Sequence, residues 1–393
     1  MQKKAVAVHD MKGILMSIVV LIGLHASSQN INIKIFGDQN ISGFSFAPVS
    51  GKYELVNNSR VVARVEVGDS TVITAKGKKI RAESSSGKRL GSFKHLHIRG
   101  VSGENYFSVR PFSEKSQLRT YDDDLQVSQD SGLFTLINDV NFEKYIAAVV
   151  ECEGGPSAPL EYYKSQAILC RTYAVKYFDK HIKEGYSLCD DVHCQVYKNR
   201  CHRNRDIAVA TIGTTGLVVV DDKLNVISAT FYSNSGGQTA NSEDVWQSAQ
   251  PYLRSAPDPY SKGQRNYEWS KTIPIDDWRK FLISKGAKVS ANDTDFEFTQ
   301  PTRKAALIYR GITIPTKTIR AEMGLRSSFF DLKVKGDKLI IDGRGYGHGV
   351  GLSQEGAMNM AKQGYKYDQI INQYYQGVNI ISVRALNFFQ VEQ

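Results

Sequence analysis

Two carboxylates, Glu151 and Glu153, flank Cys152 at the end of the apolar, tyrosine-bearing stretch Phe142 to Val150, and Gly154-Gly155-Pro156 follows. The apolar spacing makes that stretch a helix. A carboxylate at its C-terminal end meets the negative pole of the helix dipole, which raises its pKa. A raised pKa is what a general acid working near neutrality needs. Plain solvent exposure also leaves acidic residues at helix ends, and the sequence alone leaves the choice open.

A second group of reactive side chains lies downstream. All five cysteines, 152, 170, 189, 194 and 201, fall within fifty residues, and Cys189, His193, Cys194, Cys201 and His202 are packed into fourteen. The spacing matches no standard zinc pattern such as paired C-x-x-C motifs. A structural zinc on Cys189, His193, Cys194 and Cys201, a disulfide, and free thiols all stay open, and an odd count leaves at least one thiol unpaired. No further His/Glu pair at helical spacing accompanies them, which argues against a catalytic zinc.

The third is GRGYGHGVGLSQEGA, Gly343 to Ala357, with six glycines in fifteen residues around His348. No lysine follows as a P-loop needs, and no G-x-G-x-x-G register fits. Arg344, Tyr346, His348, Val350 and Leu352 alternate with glycine, which reads as an extended strand approached closely by another backbone or a ligand. Ser353 is placed to cap a helix through Met358 and Ala361 that stops at Gly364. A polar turn, Ser233 to Thr239, sits beside Phe231 and Tyr232 and suits hydrogen bonding to a hydroxyl-rich ligand.

These groups need elements to hold them. Residues 30–135 read as a small all-β unit: INIKIFG, GKYELVNN, VVARVEV, TVITAKG, KKIRAES, HLHIRGV and YFSVRPF alternate apolar and polar between Gly, Asn and Ser breaks. After the first helix a second opens near Pro159 and is expected to run to Gly185, with Leu160, Tyr163, Ala167, Cys170, Ala174 and Phe178 at core spacing. Lys164 and Arg171 share one of its faces, as do Gln166 and Tyr173; a charged outer face is the plainer account of such a row. Strands are expected over TIGTTGLVVVDD and NVISATFY, a small subdomain or insertion over 257–320 with a helix around Trp278 to Ser284, and a closing helix near Asp368 to Gln376. The expected fold class is α+β: a mixed-sheet core over 136–256 and 321–393 with flanking helices, preceded by the β unit.

At 393 residues, 41% hydrophobic and 23% charged, the chain is an ordinary globular protein, neither disordered nor multispanning. A net charge of +10 favours an anionic partner. Lys3, Lys4 and Lys12 precede an eleven-residue apolar run, Ile14 to Leu24, and then a small polar stretch, which marks 1–29 as a signal peptide. No cysteine follows for lipid attachment, so export to the periplasm or cell envelope is expected, with membrane attachment only if the leader stays uncleaved. A nucleic-acid role is disfavoured, because no groove-entering helix or RNA-binding aromatic signature is present.

Over about residues 135–380 the chain resembles the SpoIID/LytB family. The resemblance is carried, in order, by Tyr145, Val149-Val150, Glu153, Pro159, Glu161, Lys164, Gln166-Ala167, Arg171-Thr172-Tyr173, Gln195-Val196-Tyr197, Ser235-Gly236-Gly237 with Thr239, Asp244-Val245-Trp246, Pro251-Tyr252-Leu253, Arg320 with Gly324-Leu325-Arg326-Ser327, and Gly345 to Ala357. It implies a lytic transglycosylase acting on peptidoglycan strands stripped of stem peptides. Counting back from Pro159 and Glu161 puts the catalytic acid on Glu153, with Gly154-Gly155 standing where the family has Met-Pro. It also implies a glycan-binding groove, for which Lys164, Gln166, Arg171, Tyr173, Gln195, Tyr197, Ser235, Gly236, Gly237, Tyr346, His348 and Gln354 are candidates, and a zinc held by His and Cys that catalysis does not require. Lytic cleavage needs one carboxylate where hydrolysis usually needs two, so Glu151 is left as a surface residue. The alternative that the resemblance carries is a binder of peptidoglycan that enhances a cell-wall amidase.

Overall fold

The computed structural model describes residues 29–386, apart from 102 and 114–116, together with residue 388. Residues 1–28 of the expected leader lie outside them. The alternating segments form the strands that their period demands: Asn30–Ile35, Tyr53–Asn57, Arg60–Val65, Thr71–Lys76, Lys79–Ser84, Leu96–Gly100 and Tyr106–Pro111. Gly43–Ser50, Arg89–Phe93, Arg119–Asp122 and Asp124–Asp130 join them. With Leu133–Asn141 and Leu188–Cys189 they build a seven-stranded and a six-stranded sheet. Phe46, Tyr53 and Phe107 from both sheets meet with ring centroids 5.2 to 5.9 Å apart, close enough for edge and tilted packing to add to the burial of their surface.

The β region does not stop at 135. Leu133–Asn141 pairs antiparallel with Asn30–Ile35 and runs directly into the first helix, while Leu188–Cys189 adds in parallel to the other edge of Asn30–Ile35. One hydrophobic core, from Ile31 to Val383, therefore underlies both the sheets and the helices.

The α-helices are α1 (Phe142–Gly154), α2 (Leu160–Lys176), α3 (Arg205–Gly213), α4 (Ser242–Val245), α5 (Ile275–Ser284), α6 (Thr316–Glu322), α7 (Gln354–Lys362) and α8 (Tyr367–Tyr374). Asn141 caps α1 by accepting the N–H groups of Glu143 and Lys144. Ser353 caps α7 by accepting that of Gly356. Two expectations fail locally. The second helix ends at Lys176 rather than Gly185; the chain turns at Tyr177, whose ring sits 4.6 Å from that of Tyr173, and a short 3-10 turn over Ile182–Glu184 follows. Thr211 was expected to open a strand but lies in α3, because its hydroxyl and that of Thr214 bond back to the carbonyls of Ile207 and Ala210, a contact only a helix supplies. Of the strand segments expected there, Leu217–Val220 and Phe231–Tyr232 form.

A second core gathers Ile275, Trp278, Leu282, Ile319, Leu332 and Ile341 between α5, α6 and a three-stranded sheet of Glu268–Pro274, Lys338–Arg344 and Phe330–Lys335. It extends past residues 257–320, expected as an insertion or small subdomain, into the strand that leads to the glycine segment. Parallel pairs beside antiparallel sheets, with helices packed on them, make the chain α+β. No helix among the described residues is long and apolar enough to cross a membrane.

Candidate functional site

Glu153 lies in the last turn of α1. Its Oε1 accepts the N–H of Val196 at 3.0 Å, and its own backbone carbonyl accepts Nε2 of Gln354, the first residue of α7, at 3.1 Å. Burial raises its pKa above the ordinary carboxylate range, and the single Val196 N–H only partly opposes this. The Gly-Gly that follows has a geometric role. Gly155 ends α1 at φ +71°, which the ring of a proline cannot reach, and a Cβ on Gly154 would stand 3.0 Å from the Tyr162 hydroxyl. Behind Glu153, the buried Tyr162 hydroxyl, Gln166 Oε1 and Gln195 Nε2 have no hydrogen-bond partner among the described residues. Such atoms are normally met by water or ligand.

Glu151 is not the surface residue expected. It is 1% exposed and accepts the N–H groups of His202, Arg203 and Asn204 and the Arg203 guanidinium. Burial pushes its pKa up, but these donors outweigh it and hold the carboxylate below its usual range. Two glutamates two residues apart on one helix are thus driven in opposite directions, and Glu153 is the one suited to carry a proton.

The glycine segment also differs from expectation. The strand Lys338–Arg344 ends where the glycines begin, and Gly345, Gly347, Gly349 and Gly351 all take positive φ. Their bare faces meet protein. A Cβ on Gly345 would fall 2.6 Å from the carbonyl oxygen of Asn234, one on Gly236 2.6 Å from the backbone of Arg344, and one on Gly351 2.2 Å from the carbonyl oxygen of Thr230. The glycines let segment 343–352 lie against segment 230–237, so they shape the site through the fold rather than by exposing backbone to a sugar. His348 is tied into the same junction. Its Nδ1 accepts the N–H of Val350 at 3.1 Å, which leaves Nε2 to donate to the carbonyl of Phe231 at 3.1 Å. Burial lowers its pKa to about 4, so at neutral pH the ring is neutral and its single N–H is the one on Nε2.

The remaining candidates divide. Arg171 is wholly buried, its guanidinium bonded to both oxygens of Glu143 at 2.9 and 2.6 Å and to the carbonyl of Leu217. Tyr197 is buried with its hydroxyl on Asn138, and Ser235 is buried with its hydroxyl on Asp258 at 2.6 Å. These three hold the fold together, because every polar atom they could offer is already used inside it. Gln166 and Gln195 are buried beside Cys170, with Gln166 Nε2 on the Cys170 sulfur and Gln195 accepting from Tyr145. Gly236 and Gly237 turn with φ +69° and +99°. Lys164 is half-buried and paired with Glu161; Tyr173 reaches the carbonyl of His193; Tyr346 is 45% exposed. An open cavity of about 620 Å³ lies instead on the N-terminal sheet, between His95, His97, Arg99 and Glu184, and does not include Glu153.

His181, Cys189, His193 and Cys194 bring four ligand atoms within 4.8 Å of one another. His181 takes the place expected of Cys201, whose sulfur lies 3.6 Å from Glu151 Oε2. The signal for His181 was faint, since the turn after α2 that returns it to the cysteines has no local motif. Cys194 Sγ stands 3.6 Å from His181 Nε2 and 3.9 Å from His193 Nδ1, and Cys189 Sγ 3.7 Å from His193 Nδ1. A tetrahedral zinc with bonds of ~2.3 Å to sulfur and ~2.0 Å to nitrogen places such atoms about 3.6 Å apart, so the donor set fits zinc in type and spacing. Hydrogen bonding between the two sulfurs lowers the Cys194 thiol to about 6 and raises that of Cys189. All five cysteines are unbridged.

With this geometry in place, residues 130–220, which hold α1 to α3 and the four-ligand cluster, match the family model described as stage II sporulation protein. The chain is similar to stage II sporulation protein D of Bacillus amyloliquefaciens, 32% identical over 263 residues covering 62% of this chain and 75% of that protein. It is equally similar to its counterpart in Bacillus subtilis strain 168, 32% identical over 268 residues covering 63% and 77%. To the amidase enhancer of Bacillus subtilis strain 168 it is 28% identical over 293 residues, which cover 60% of this chain and 40% of that protein.

Proposed function

The chain belongs to the SpoIID family, and from that premise we propose that it is a peptidoglycan lytic transglycosylase of the cell envelope in which Glu153 is the single acid and base. The observation that carries this reading is the environment of Glu153: a largely desolvated carboxyl with one N–H partner and a raised pKa, held against Gln354 at the end of the glycine segment. Its protonated form would give its proton to the glycosidic oxygen as the bond from muramyl C1 breaks. The resulting carboxylate would take the proton of the C6 hydroxyl as O6 bonds to C1, leaving a 1,6-anhydro end. Glu151, ionised and saturated with donors, is unsuited to act as a second carboxylate. The test is to incubate peptide-stripped glycan strands with the chain and with Glu153→Gln and to follow anhydro ends by mass spectrometry. Release by the parent and none by the variant supports the reading; no release by either favours the second one.

That second reading is a peptidoglycan binder that stimulates a cell-wall amidase, and the similarity to an amidase enhancer favours it. Its mark would be faster amidase turnover in the presence of the Glu153→Gln variant. We also propose export through the leader at 1–29, and a structural zinc on His181, Cys189, His193 and Cys194. Cys194 lies two residues before Val196, the donor to Glu153, so the ion would steady that donor without touching the substrate.

A further inference from the structure

Among the described residues, buried and half-buried arginines pair with carboxylates: Arg81 with Glu83, Arg119 with Asp190, Arg171 with Glu143, Arg200 with Asp122, Arg254 with Glu243 and Arg279 with Asp276. Arg303, Arg320 and Arg344, each half-buried, do not. Arg303 gives its hydrogen bonds to the carbonyls of Gln238 and Ser235, both at 2.7 Å, with Ser328 Oγ at 3.4 Å, and Arg344 gives one to the carbonyl of Gln300. Those contacts satisfy geometry and leave the charge uncancelled. The guanidinium of Arg320, on α6, makes neither a hydrogen bond nor an ion pair among the described residues.

The three charges are close enough to act on one another. Burial, together with Arg344 and Arg320, holds the Arg303 guanidinium down to about 10, although Tyr232 and Asp244 work the other way. Asp244 is engaged by the Asn241 amide at 3.2 Å and forms no ion pair with any of them. Uncancelled charge in a part-desolvated place is costly, and an anion bound there would offset that cost.

Two exposed aromatic rings border the cluster: Lys317, one turn before Arg320 on α6, bonds the carbonyl of Val245, the residue before Trp246, and Tyr346 lies two residues beyond Arg344 and acts on the Arg320 charge. Trp246 is 39% exposed and lies 5.2 Å from the His348 ring; Tyr346 is 45% exposed with the Arg326 guanidinium 5.8 Å above it. Neither the Trp246 indole N–H nor the Tyr346 hydroxyl is bonded among the described residues. The cluster is also joined to Glu153 by a continuous row of contacts. Gln354 touches Glu153, the preceding Ser353 accepts the Ser235 N–H on its hydroxyl, and the Ser235 carbonyl accepts the Arg303 guanidinium.

Aromatic faces suit the C–H face of a pyranose, and a guanidinium suits a carboxylate through paired, charge-assisted hydrogen bonds. We infer that Arg320, backed by Arg303 and Arg344 and flanked by Trp246 and Tyr346, forms a subsite for a carboxylate-bearing sugar. Resting on the proposed function, that sugar is a muramyl residue with a free lactyl carboxylate. An attached stem peptide converts that carboxylate to a neutral amide, so this subsite is what lets the chain choose stripped strands.

The test is calorimetric titration of the full chain carrying Glu153→Gln, so that strands are not consumed. Its ligands are a peptide-free GlcNAc-MurNAc tetrasaccharide, its lactyl methyl esters, chitotetraose and inorganic phosphate. The free acid should bind roughly tenfold or more tightly than the esters or chitotetraose, and Arg320→Met, which removes no side-chain hydrogen bond or ion pair within the fold, should erase that difference. Trp246→Ala should weaken all three saccharides alike. Equal binding of acid and ester, no effect of Arg320→Met, or phosphate binding as tightly as the tetrasaccharide would each overturn the subsite while leaving glycan binding intact. Failure of every saccharide to bind would instead remove the glycan reading on which it rests.

Discussion

At the scale of single residues, the site depends on how differently two glutamates on one helix are solvated. Glu153 has a raised pKa, so between the ordinary carboxylate value and that raised value the folded chain binds a proton that the unfolded chain releases. Its contribution to stability is therefore largest at low pH and declines as pH rises through that window. Two outcomes follow. Strand cleavage should fall as pH climbs through the raised pKa, because the acid form disappears. Glu153→Gln should abolish cleavage yet melt no lower than the parent near pH 8, where the parent holds a desolvated charge; a lower melting temperature there would contradict the solvation assigned to Glu153. Glu151 has the opposite sign. Its folded pKa is depressed, so its contribution is present above the ordinary carboxylate value and is lost as pH falls through the depressed one. Glu151→Ala should cost about 3 kcal/mol in urea unfolding near pH 7, because the backbone donors of residues 202–204 lose a buried acceptor. That penalty should shrink in acid.

At the scale of elements, the glycine segment is a joint between two backbones. Gly87 and Gly345 share the same φ of +81°, but a Cβ on Gly87 meets nothing within 4 Å, whereas one on Gly345 meets the backbone of residues 234–236 at 2.6 to 2.8 Å. Gly87→Ala should thus cost about 1 kcal/mol, the price of a left-handed conformation alone. Gly345→Ala should cost at least about 2 kcal/mol more, because backbone cannot step aside as a flexible side chain can. Urea midpoints of the two variants at constant slope test this, and equal costs would show that the close approach does not constrain the joint. The sequence signalled a backbone that something approaches closely; whether that something was ligand or protein depended on residues 230–237, more than a hundred positions away.

At the scale of the whole molecule, the four-ligand cluster links distant parts. Leu188–Cys189 extends the N-terminal sheet in parallel with Asn30–Ile35, His181 follows α2, and Val196 beyond Cys194 reaches Glu153. Purified chain should contain one zinc. His181→Ala should lower its zinc content as far as Cys194→Ser does, while Cys201→Ser should leave it unchanged, measured by metal analysis after dialysis. Chelation should lower both the melting temperature and strand cleavage, through the loop that carries Val196. Local pattern alone made the alternating strands, the Ser353 cap and the order of motifs around Glu153 readable, because period, capping and spacing are properties of neighbours along the chain. Only the folded arrangement decided that Arg171 is a buried partner in an ion pair, since a helix row of charge looks the same whether it faces solvent or a half-buried Glu143. It alone brought His181 to the cysteines, fastened His348 to Phe231 117 positions away, and left Arg320 without a counter-charge. Each of these depends on which remote group arrives beside a side chain, and burial and partnership between remote groups exist only once the chain has closed on itself.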